Sequence, residues 1–284
     1  MNILITGSNG FIAKELIQKM EDRYPSWNLL KTNRQNLDVR DSTAVDRFFD
    51  THPIDVVIHC ANRGGRRTKV DGQEIIDMNF GMFANLAKHR DKYKFMIIFG
   101  SGAEFPREKG LDEFSEERFN SNKEIPREYY GFSKYLIAKA ARSIDNIINM
   151  RIFNVFGVHE YGDRMVKNSI HKNLRGEPFE INQDRVMDFF SSYDLFKVVE
   201  HYINNFIALS LYKDLNLCYA NKIKLSDLCQ EIQKNGTPTH IIFHEEGDAP
   251  AYCGSSERLD SLNIELIGLE KSITTVYREL KERT

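Results

Sequence analysis

Short apolar runs alternate with amphipathic segments along the first half of the chain. The apolar runs have the length of strands and lie at residues 2–6, 28–32, 54–60, 94–101 and 149–155. The segments between them are amphipathic, as helices are when they pack one face on a sheet, and lie at about 11–22, 42–51, 72–91 and 129–144. Strands that are apolar throughout indicate a parallel sheet covered by helices on both faces. Because crossovers between parallel strands are right-handed, the pattern predicts a doubly wound α/β fold.

The alternation becomes less regular after residue 155. Further elements are predicted there: helices at 165–175 and 188–209, a strand at 215–220, and an amphipathic helix at the end of the chain. We expect a Rossmann domain over residues 1–155, which also takes in about 189–213, and a smaller α/β substrate-binding lobe over 156–284. Ser42 is expected to be the N-cap of the second helix.

A glycine-containing loop joins the first predicted strand to the first predicted helix. In its sequence, TGSNGFIA, Gly7 and Gly10 permit a tight turn and a close approach of the backbone to a ligand. The N-terminus of the helix offers free N–H groups and the positive end of the helix dipole to a pyrophosphate. We therefore predict a dinucleotide-binding loop, although a tight turn without a ligand would use the same glycines. The predicted cofactor contacts in this loop are Gly7, Asn9, Gly10, Phe11 and Ile12.

The end of the second predicted strand indicates which dinucleotide would bind. Sites that prefer NAD commonly place an Asp or Glu about 20 residues after the glycines, where it bonds the ribose hydroxyls. Here that region has Asn33 and Arg34, with Lys31 nearby. A carboxylate repels a 2′-phosphate, whereas a guanidinium can bind one through two hydrogen bonds. NADP (as NADPH) is therefore favoured and NAD stays open; Arg34 could also be a solvated charge at a strand end.

Residues 129–139, YYGFSKYLIAK, twice contain a tyrosine followed by a lysine four positions later. The same spacing occurs at four of the 12 tyrosines, namely Tyr130, Tyr135, Tyr193 and Tyr277. Residues four apart share a helix face, so the spacing suits a packed stripe as well as an active site. Tyr130 differs from the others because it begins a helix downstream of a Gly/Ser-rich strand end at 99–101. Tyr135 lies about 140° further around the helix and cannot share that face.

The composition is that of an ordinary globular protein and limits the classes of partner. Apolar residues make up 41% and charged residues 28%, and the net charge is -2. This balance gives no general attraction to nucleic acid or to an anionic membrane. No apolar run approaches the length of about 20 residues that a membrane span needs, and the N-terminus lacks the features of a signal peptide. We expect a cytoplasmic protein with free cysteines and no metal site.

Several of these motifs occur together, in one order, in a known family. The chain resembles the extended short-chain dehydrogenases/reductases, which include nucleotide-sugar epimerases, dehydratases and reductases, and its spacing is most similar to the GDP-fucose synthase branch. The resemblance covers nearly the whole chain and rests on TGSNGFIA (6–13), LDVRD (37–41), VIHCAN (57–62), FGSGAEF (99–105), YYGFSK (129–134), MRIFNVFG (150–157) and MDFFSSYDLFKVV (187–199). It implies a nicotinamide cofactor, a nucleotide-sugar substrate, and a homodimer formed through the helices at 72–91 and 129–144.

The family pattern also implies roles for individual positions of this chain. It implies a catalytic set of Ser101, Tyr130 and Lys134, of which the last two also contact the cofactor. Asn154 would face the phosphate of the substrate. The other implied cofactor contacts are Asp38, Val39, Ala61, Asn62 and Asn79.

The chemistry of ketone reduction explains why these residue types are needed. Negative charge develops on the substrate oxygen, so a donor must deliver a proton as hydride arrives. A free tyrosine with a pKa of about 10 holds its proton too tightly, and an ammonium one helical turn away lowers that pKa. Lys134 would also bind the nicotinamide ribose, and Ser101 would hydrogen-bond the same substrate oxygen as Tyr130.

Some positions of this chain differ from the family pattern, and these differences limit the reactions that it can catalyse. The 4,6-dehydratases have an Asp-Glu pair after the catalytic hydroxyl, where this chain has Gly102 and Ala103, with Glu104 one position late. Dehydration is therefore not expected. The fucose synthases use a Cys and a downstream His for epimerisation, and these positions are Ala103 and approximately Arg164. His159 is a candidate replacement for that histidine.

The substrate side departs as well, and three functions stay open. Met187 occupies the place of an Arg that reaches the nucleotide diphosphate, and Arg185 is a candidate to replace it. The favoured function is an NADPH-dependent reductase of a nucleotide-linked keto-deoxysugar, above all a 4-keto-6-deoxy sugar. The second is a 4-epimerase with tightly bound NAD, and the third is a non-catalytic dinucleotide-binding sensor on the same fold.

Overall fold

The central element of the structure is a six-stranded parallel sheet. The computed structural model describes residues 1–66, 69–205 and 212–283. The sheet contains β1 (Asn2–Thr6), β2 (Asn28–Thr32), β3 (Val56–His59), β4 (Phe95–Ser101), β6 (Ile147–Ile152) and β11 (Asp214–Leu217). Its strand order is β11-β6-β4-β3-β1-β2, and every neighbouring pair is parallel. The order reverses beside β1, as it does in a doubly wound sheet.

Helices cover this sheet and fill the second lobe. They are α1 (Phe11–Arg23), α2 (Ser42–Thr51), α3 (Glu74–Ala87), α4 (Glu116–Ser121), α5 (Tyr129–Arg142), α6 (Met165–Leu174), α7 (Ser192–Asn205), α8 (Leu225–Gln233), α9 (Glu257–Ser261) and α10 (Leu269–Glu282). Short 3-10 turns follow at Arg90–Lys92, Gly102–Glu104 and Arg107–Lys109. Among the helices of the described ranges, none has the length and apolar character needed to cross a membrane.

Both faces of the sheet are covered because its strands are apolar on both sides. Ile3 of β1 packs into a core that includes Leu16 of α1 and residues of α7. Leu4, the next residue in the strand, points to the opposite face and packs with Met82 of α3 and Ile137 of α5. The predicted doubly wound sheet is confirmed.

A second core lies under short strands that are not part of the main sheet. These strands are β5 (Leu111–Phe114), β7 (Val155–Phe156), β8 (Phe179–Ile181), β9 (Val186–Met187), β10 (Phe190–Ser191), β12 (Ile223–Lys224), β13 (Ile241–Phe243) and β14 (Tyr252–Gly254). They pair in the orders β12-β9-β14-β5, β10-β7 and β13-β8. The core beneath them contains Phe179, Leu228 of α8 and Val276 of α10.

Late segments of the chain return to the first core. Helix α7 packs on α1, and β11 extends the main sheet beyond β6. The domain boundary at residue 155 and the assignment of 189–213 to the Rossmann domain stay predictions, and residues 206–211 of that segment lie outside the described ranges.

Two local predictions need correction. Asp41, not Ser42, is the N-cap of α2: its Oδ1 accepts from the backbone N of Ala44 at 3.0 Å, and Ser42 is the first helical residue. The hydroxyl of Ser42 instead accepts from Lys88 Nζ at 2.7 Å. The long helix predicted from residue 188 begins only at Ser192, because the two residues before it form β10 beside β7.

Candidate active site

The glycine loop brings the ends of β1 and β3 into close contact. Gly7 has a φ of +65°, and a Cβ placed on it would lie 2.7 Å from the backbone N and Cα of Ala61. The N–H of Gly10 donates to the carbonyl of Gly7 at 2.8 Å, which closes the turn before α1. An L-side chain at Gly7 would therefore be strained and would also push the two strand ends apart. The loop conformation depends on glycine at this position.

A cavity of about 370 Å³ opens beside this loop, where the strand order reverses. It is lined by most of the predicted cofactor contacts: Gly7, Asn9, Gly10, Arg34, Asp38, Val39, Ala61 and Asn62. Phe11 and Ile12 are partly buried against the core on the sheet instead. The structure thus brings together residues from the ends of three neighbouring strands, β1, β2 and β3.

Guanidinium groups that sequence reasoning missed also line this cavity. Arg40 and Arg63 lie there together with the exposed Arg34. Arg40 Nε donates to Asp38 at 2.9 Å, and hydrogen bonding with Arg40, assisted by the charge of Arg34, lowers the pKa of the Asp38 carboxyl. The motif LDVRD contains Arg40 and could have identified it, whereas Arg63 follows a strand end without any such signal.

Asn79 of α3 ties the loop after β3 to helix α5. Its Oδ1 accepts from the backbone N of Arg63 at 2.8 Å, and its Nδ2 donates to the carbonyl of Arg63 at 3.0 Å. The same Nδ2 also donates to the hydroxyl of Ser133 at 3.1 Å, and Ser133 in turn donates to the carbonyl of Tyr130 at 2.7 Å. Asn79 therefore fixes the cavity wall and the first turn of α5 relative to each other.

Ser101, Tyr130 and Lys134 meet where β4 ends and α5 begins. Lys134 Nζ donates to the carbonyl of Phe99 in β4 at 2.8 Å and lies 5.8 Å from the centroid of the Tyr130 ring. The hydroxyl of Ser101 accepts from the backbone N of Ala103 at 3.1 Å, in the short 3-10 turn that follows the strand. A hydroxyl, a phenol and an ammonium thus lie together, and the charge of Lys134 reaches Cys60, which lines the cavity.

The electrostatics of the three groups differ in one respect from the expectation. Burial raises the pKa of Tyr130, and hydrogen bonding with Ser101 and the charges of Arg107 and Arg164 oppose this rise. Lys134 was expected to lower that pKa. Burial lowers the pKa of Lys134 itself to about 8, and the charge of Glu104 opposes this fall.

Gly65, in the loop after β3, lies against the ring of Tyr130. Its φ is +77°, and a Cβ on it would lie 2.9 Å from a ring carbon of Tyr130. The backbone N of Gly65 donates to Asp71 at 2.8 Å, which holds the loop in place. The loop therefore restricts the position of the phenol from the side opposite α5.

The second lobe contributes a second phenol that the sequence did not indicate. The hydroxyl of Tyr252 in β14 lies 2.6 Å from the position that a Cβ on Gly102 would occupy, and its ring packs edge-on against Phe153. Burial raises the pKa of Tyr252, and hydrogen bonding with Ser101 opposes this rise. Ser101 is therefore accompanied by one phenol from each lobe.

The predicted substrate contacts do not form one cluster. Asn154 Nδ2 donates to the carbonyl of Asp188 at 2.9 Å. His159 lies against α1, where its Nδ1 is 3.0 Å from a carboxylate oxygen of Glu15, and it lines a second cavity of about 400 Å³ with Ser8 and Lys14. Arg185 lies at the edge of the smaller lobe, where its carbonyl accepts from the backbone N of Leu225 at 3.1 Å.

Within residues 1–66, 69–205 and 212–283, no group of His, Cys, Asp or Glu side chains is placed to hold a metal ion. The four cysteines are free.

Comparison with known proteins places this geometry in context. The model of the family described as "NAD dependent epimerase/dehydratase family" matches residues 3–218. The fold is similar to that of a GDP-mannoheptose C4 reductase from Campylobacter jejuni with NADP bound (TM-score 0.83, 18% identity, 99% of this chain and 98% of that chain). It is similar to a GDP-L-fucose synthetase from Naegleria fowleri bound to NADP (0.84, 18%, 99% and 93%). It is also similar to a UDP-glucose 4-epimerase from Thermus thermophilus in complex with NAD (0.78, 17%, 100% and 100%).

Proposed function

The chain belongs to the NAD dependent epimerase/dehydratase family, and we propose that it is an NADPH-dependent reductase of a keto-deoxysugar linked to a nucleotide. Membership makes it an NAD(P)-dependent oxidoreductase of the extended short-chain dehydrogenase/reductase type. The observation that supports the reductase proposal is the position of Ser101, Tyr130 and Lys134 at the end of β4, beside the cavity of about 370 Å³.

The residues around this cavity suit a dinucleotide. The close approach at Gly7 exposes backbone rather than side chain at the floor of the cavity, and the N-terminus of α1 supplies N–H groups for a pyrophosphate. Ala61 and Asn62 would line the nicotinamide half, and Asp38 and Val39 the adenine half. When bound, the reduced nicotinamide supplies the hydride.

The roles of the chain's own groups follow from their positions. Tyr130 donates its phenolic proton to the carbonyl oxygen of the substrate, and Ser101 hydrogen-bonds the same oxygen and orients it. Lys134 donates one hydrogen bond to the carbonyl of Phe99, and its remaining N–H groups would bind the nicotinamide ribose. Gly65 lies against the ring of Tyr130, and Asn79 holds the first turn of α5 through Ser133.

A preference for NADP over NAD is supported by the charges at the outer end of the cavity. Arg34 and Arg40 contribute two guanidinium groups there, against the one carboxylate of Asp38, which Arg40 already binds. The strand end has Asn33 where NAD-preferring sites have an acid. A 2′-phosphate would find cationic partners at this end, and a free 2′-hydroxyl would find no carboxylate at Asn33.

Reduction is favoured over dehydration and over epimerisation at the carbons next to the ketone, because the additional acid/base groups for those reactions are missing or engaged. Gly102 and Ala103 occupy the positions of acid/base residues in relatives. Glu104 lies in a buried ion pair with Arg151 at 2.7 Å, and His159 is paired with Glu15. Neither side chain is therefore available as the second acid/base that those reactions need.

The substrate class is supported by charge and by the relatives. Two of the similar structures are a GDP-mannoheptose C4 reductase and a GDP-L-fucose synthetase, whose names contain GDP-linked sugars. Arg107 and Arg164 lie close enough to Tyr130 to oppose the rise in the pKa of its phenol, and guanidinium groups suit an anionic nucleotide diphosphate. Among such compounds we favour 4-keto-6-deoxy sugars, with Asn154 and Arg185 as phosphate contacts.

A panel of substrates tests the proposal. The protein is incubated with NADPH and with 4-keto-6-deoxy sugars linked to GDP, CDP, dTDP or UDP, and NADPH loss is followed by absorbance. Turnover of at least one compound is expected. Binding of NADPH without turnover of any compound would contradict the reductase proposal and favour the sensor.

The 4-epimerase remains the second candidate, because the fold is also similar to a UDP-glucose 4-epimerase in complex with NAD. An epimerase that uses the same residues would retain its NAD between turnovers. Mass spectrometry of the purified protein distinguishes the two: stoichiometric bound NAD favours the epimerase, and protein that exchanges NADPH freely favours the reductase.

We also propose that the protein is a homodimer that forms through α3 and α5. These helices pack side by side, and Phe80 of α3 and Tyr129 of α5 are exposed, at 36% and 42%. Sedimentation of the wild type against Phe80→Glu tests this: the variant is expected to be a monomer.

A further inference from the structure

A cluster of charged and amide side chains is buried directly behind Ser101. Arg151 of β6 is 0% exposed and Glu104 is 2% exposed. Arg151 Nη2 lies 2.7 Å from Glu104 Oε2 and 3.0 Å from Asp214 Oδ1 of β11, and its Nη1 donates to Asn216 at 3.0 Å. Buried charges are expensive to hold away from water, so this cluster needs an explanation beyond packing.

Glu104 connects the cluster to Ser101. Its Oε1 accepts from the backbone N of Ser101 at 3.0 Å, while its Oε2 accepts from Arg151 Nε at 2.8 Å. The Ser101 hydroxyl accepts in return from the backbone N of Ala103, so the two side chains form a capping box at the N-terminus of the same short turn. The carboxylate therefore fixes the turn that presents the Ser101 hydroxyl.

The strand itself leaves room for this carboxylate. A Cβ on Gly100 of β4 would lie 2.3 Å from Glu104 Oε1 and 2.3 Å from Asn149 Oδ1. A side chain at residue 100 would displace the carboxylate from the backbone of Ser101. The position of the Glu104 carboxylate therefore depends on glycine at residue 100.

We propose that Glu104 is a positioning residue: it holds the turn of Ser101 against the Arg151 cluster and places a fixed negative charge behind Lys134 and Tyr130. The inference rests on the proposed function, in which Ser101, Tyr130 and Lys134 act on the substrate and the cofactor. Asp214 offers a natural comparison. It binds the same guanidinium and is also buried, but its side chain bonds Arg142, Asn149 and Arg151 and not Ser101.

The charge of Glu104 acts on both groups of α5. It opposes the fall that burial causes in the pKa of Lys134, and it adds to the rise in the pKa of Tyr130. The other groups that face Lys134 are Cys60 and His59 at the end of β3. Those that face Tyr130 are Ser101, Arg107 and Arg164, together with Tyr252 of the second lobe. None of these changes in the variants below.

The first experiment compares Glu104→Gln with Asp214→Asn. Each variant removes one carboxylate charge from Arg151 and preserves the side-chain shape. If the cluster is only structural, both variants should lower the melting temperature, and their kcat and KM values should be the same as each other. We expect Glu104→Gln to lower kcat for the keto sugar by about tenfold, since a small misplacement of a reacting group is costly, while Asp214→Asn stays near the wild-type kcat.

Glu104→Ala extends the series because it also removes the hydrogen bond to the backbone of Ser101. Its kcat should fall further, by about 100-fold, with little change in KM. Equal loss of kcat in Glu104→Gln and Asp214→Asn, in proportion to their loss of stability, would overturn the inference.

A second measurement does not need turnover. NADPH affinity is followed by fluorescence as a function of pH, in the wild type and in both amide variants. The ammonium of Lys134, with its pKa lowered to about 8, is present below that pH, so affinity should weaken as the pH rises through it. Removing the Glu104 charge lowers the pKa of Lys134 further, so Glu104→Gln should lose affinity at lower pH than wild type, whereas Asp214→Asn should follow the wild type.

The two measurements separate the two proposals. A shifted affinity profile in Glu104→Gln, without turnover of any keto sugar by the wild type, would refute the reductase and support the positioning of Lys134 by Glu104. In the other case the wild type turns over a keto sugar, but NADPH affinity depends on pH in the same way in the two variants. This result would refute the role of Glu104 and would not affect the reductase proposal.

Discussion

The cavity beside the glycine loop is lined by residues close together in the first third of the chain, whereas the substrate side of Tyr130 is assembled from distant segments. The cavity uses the ends of β1, β2 and β3 and part of α3. On the substrate side, Arg107 follows β4, Arg164 precedes α6, and Tyr252 comes from β14. The cavity depends on a backbone geometry that few residue types allow. The substrate side depends on individual side chains, which other residues at other positions could replace. Changes on the cavity side should therefore be severe and specific to the cofactor, and those on the substrate side milder and specific to the sugar.

Gly7→Ala should have the largest effect on the cavity side. The positive φ and the contact with Ala61 both oppose a Cβ, so the loop must shift. We expect a loss of about 1–3 kcal/mol of stability from the strained backbone. NADPH affinity should fall by at least about 100-fold, measured by fluorescence titration. Gly81→Ala is the matched control, because a Cβ there meets no atom within 4 Å. Unchanged NADPH affinity in Gly7→Ala would show that the loop is not part of the NADPH-binding site.

Arg34→Ala should separate the two cofactors. Loss of a charge-assisted hydrogen bond to a 2′-phosphate should weaken NADPH by about 10- to 100-fold and leave NADH unchanged. The Kd values of both cofactors are measured with the same variant, so NADH is the internal control. Equal weakening of the two would show that Arg34 does not contact a 2′-phosphate.

Tyr252→Phe should have a smaller effect, limited to the substrate side. Removing one hydroxyl beside Ser101 is expected to lower kcat/KM for the keto sugar by about tenfold, with the Kd of NADPH unchanged. Tyr202→Phe is the control, since its buried hydroxyl donates to the carbonyl of Tyr212 at 3.2 Å, away from Ser101. A changed Kd for NADPH in Tyr252→Phe would break the division between the two regions.

His159→Gln should have the smallest effect. The ring is already hydrogen-bonded to Glu15 of α1, so kcat and KM for the keto sugar should change by less than about threefold. A loss of 100-fold or more would instead restore His159 as a substrate contact or an acid/base and would favour epimerisation.

The difference between the two regions also explains which features could be predicted from the sequence. The strands β1 and β2, the glycine loop and the position of Tyr130 after a Gly/Ser-rich strand end follow from local patterns, because each is set by a few adjacent residues. The cap at Asp41 and the start of α7 were missed, since Asp and Ser are both good caps and a two-residue strand leaves no pattern.

The long-range partners could not be predicted for a different reason. Tyr252 and Glu104 owe their positions to the pairing of β14 with β5 and to the burial of Arg151, and neither is visible in local sequence. The sequence shows Glu104 one position after the place of the Asp-Glu pair of the 4,6-dehydratases. Its hydrogen bond to the backbone of Ser101 can be seen only from the geometry of the turn.

The most direct test of the account is the rate of NADPH oxidation, with an active keto sugar nucleotide, in Tyr130→Phe and Tyr135→Phe. Both variants remove one hydroxyl from α5, but only Tyr130 shares the environment of Ser101 and Lys134. We predict that kcat falls by about 1000-fold in Tyr130→Phe, as expected for loss of a general acid, and stays near wild type in Tyr135→Phe. Full activity in Tyr130→Phe, or an equal loss in the two variants, would contradict the assignment of Tyr130 as the proton donor.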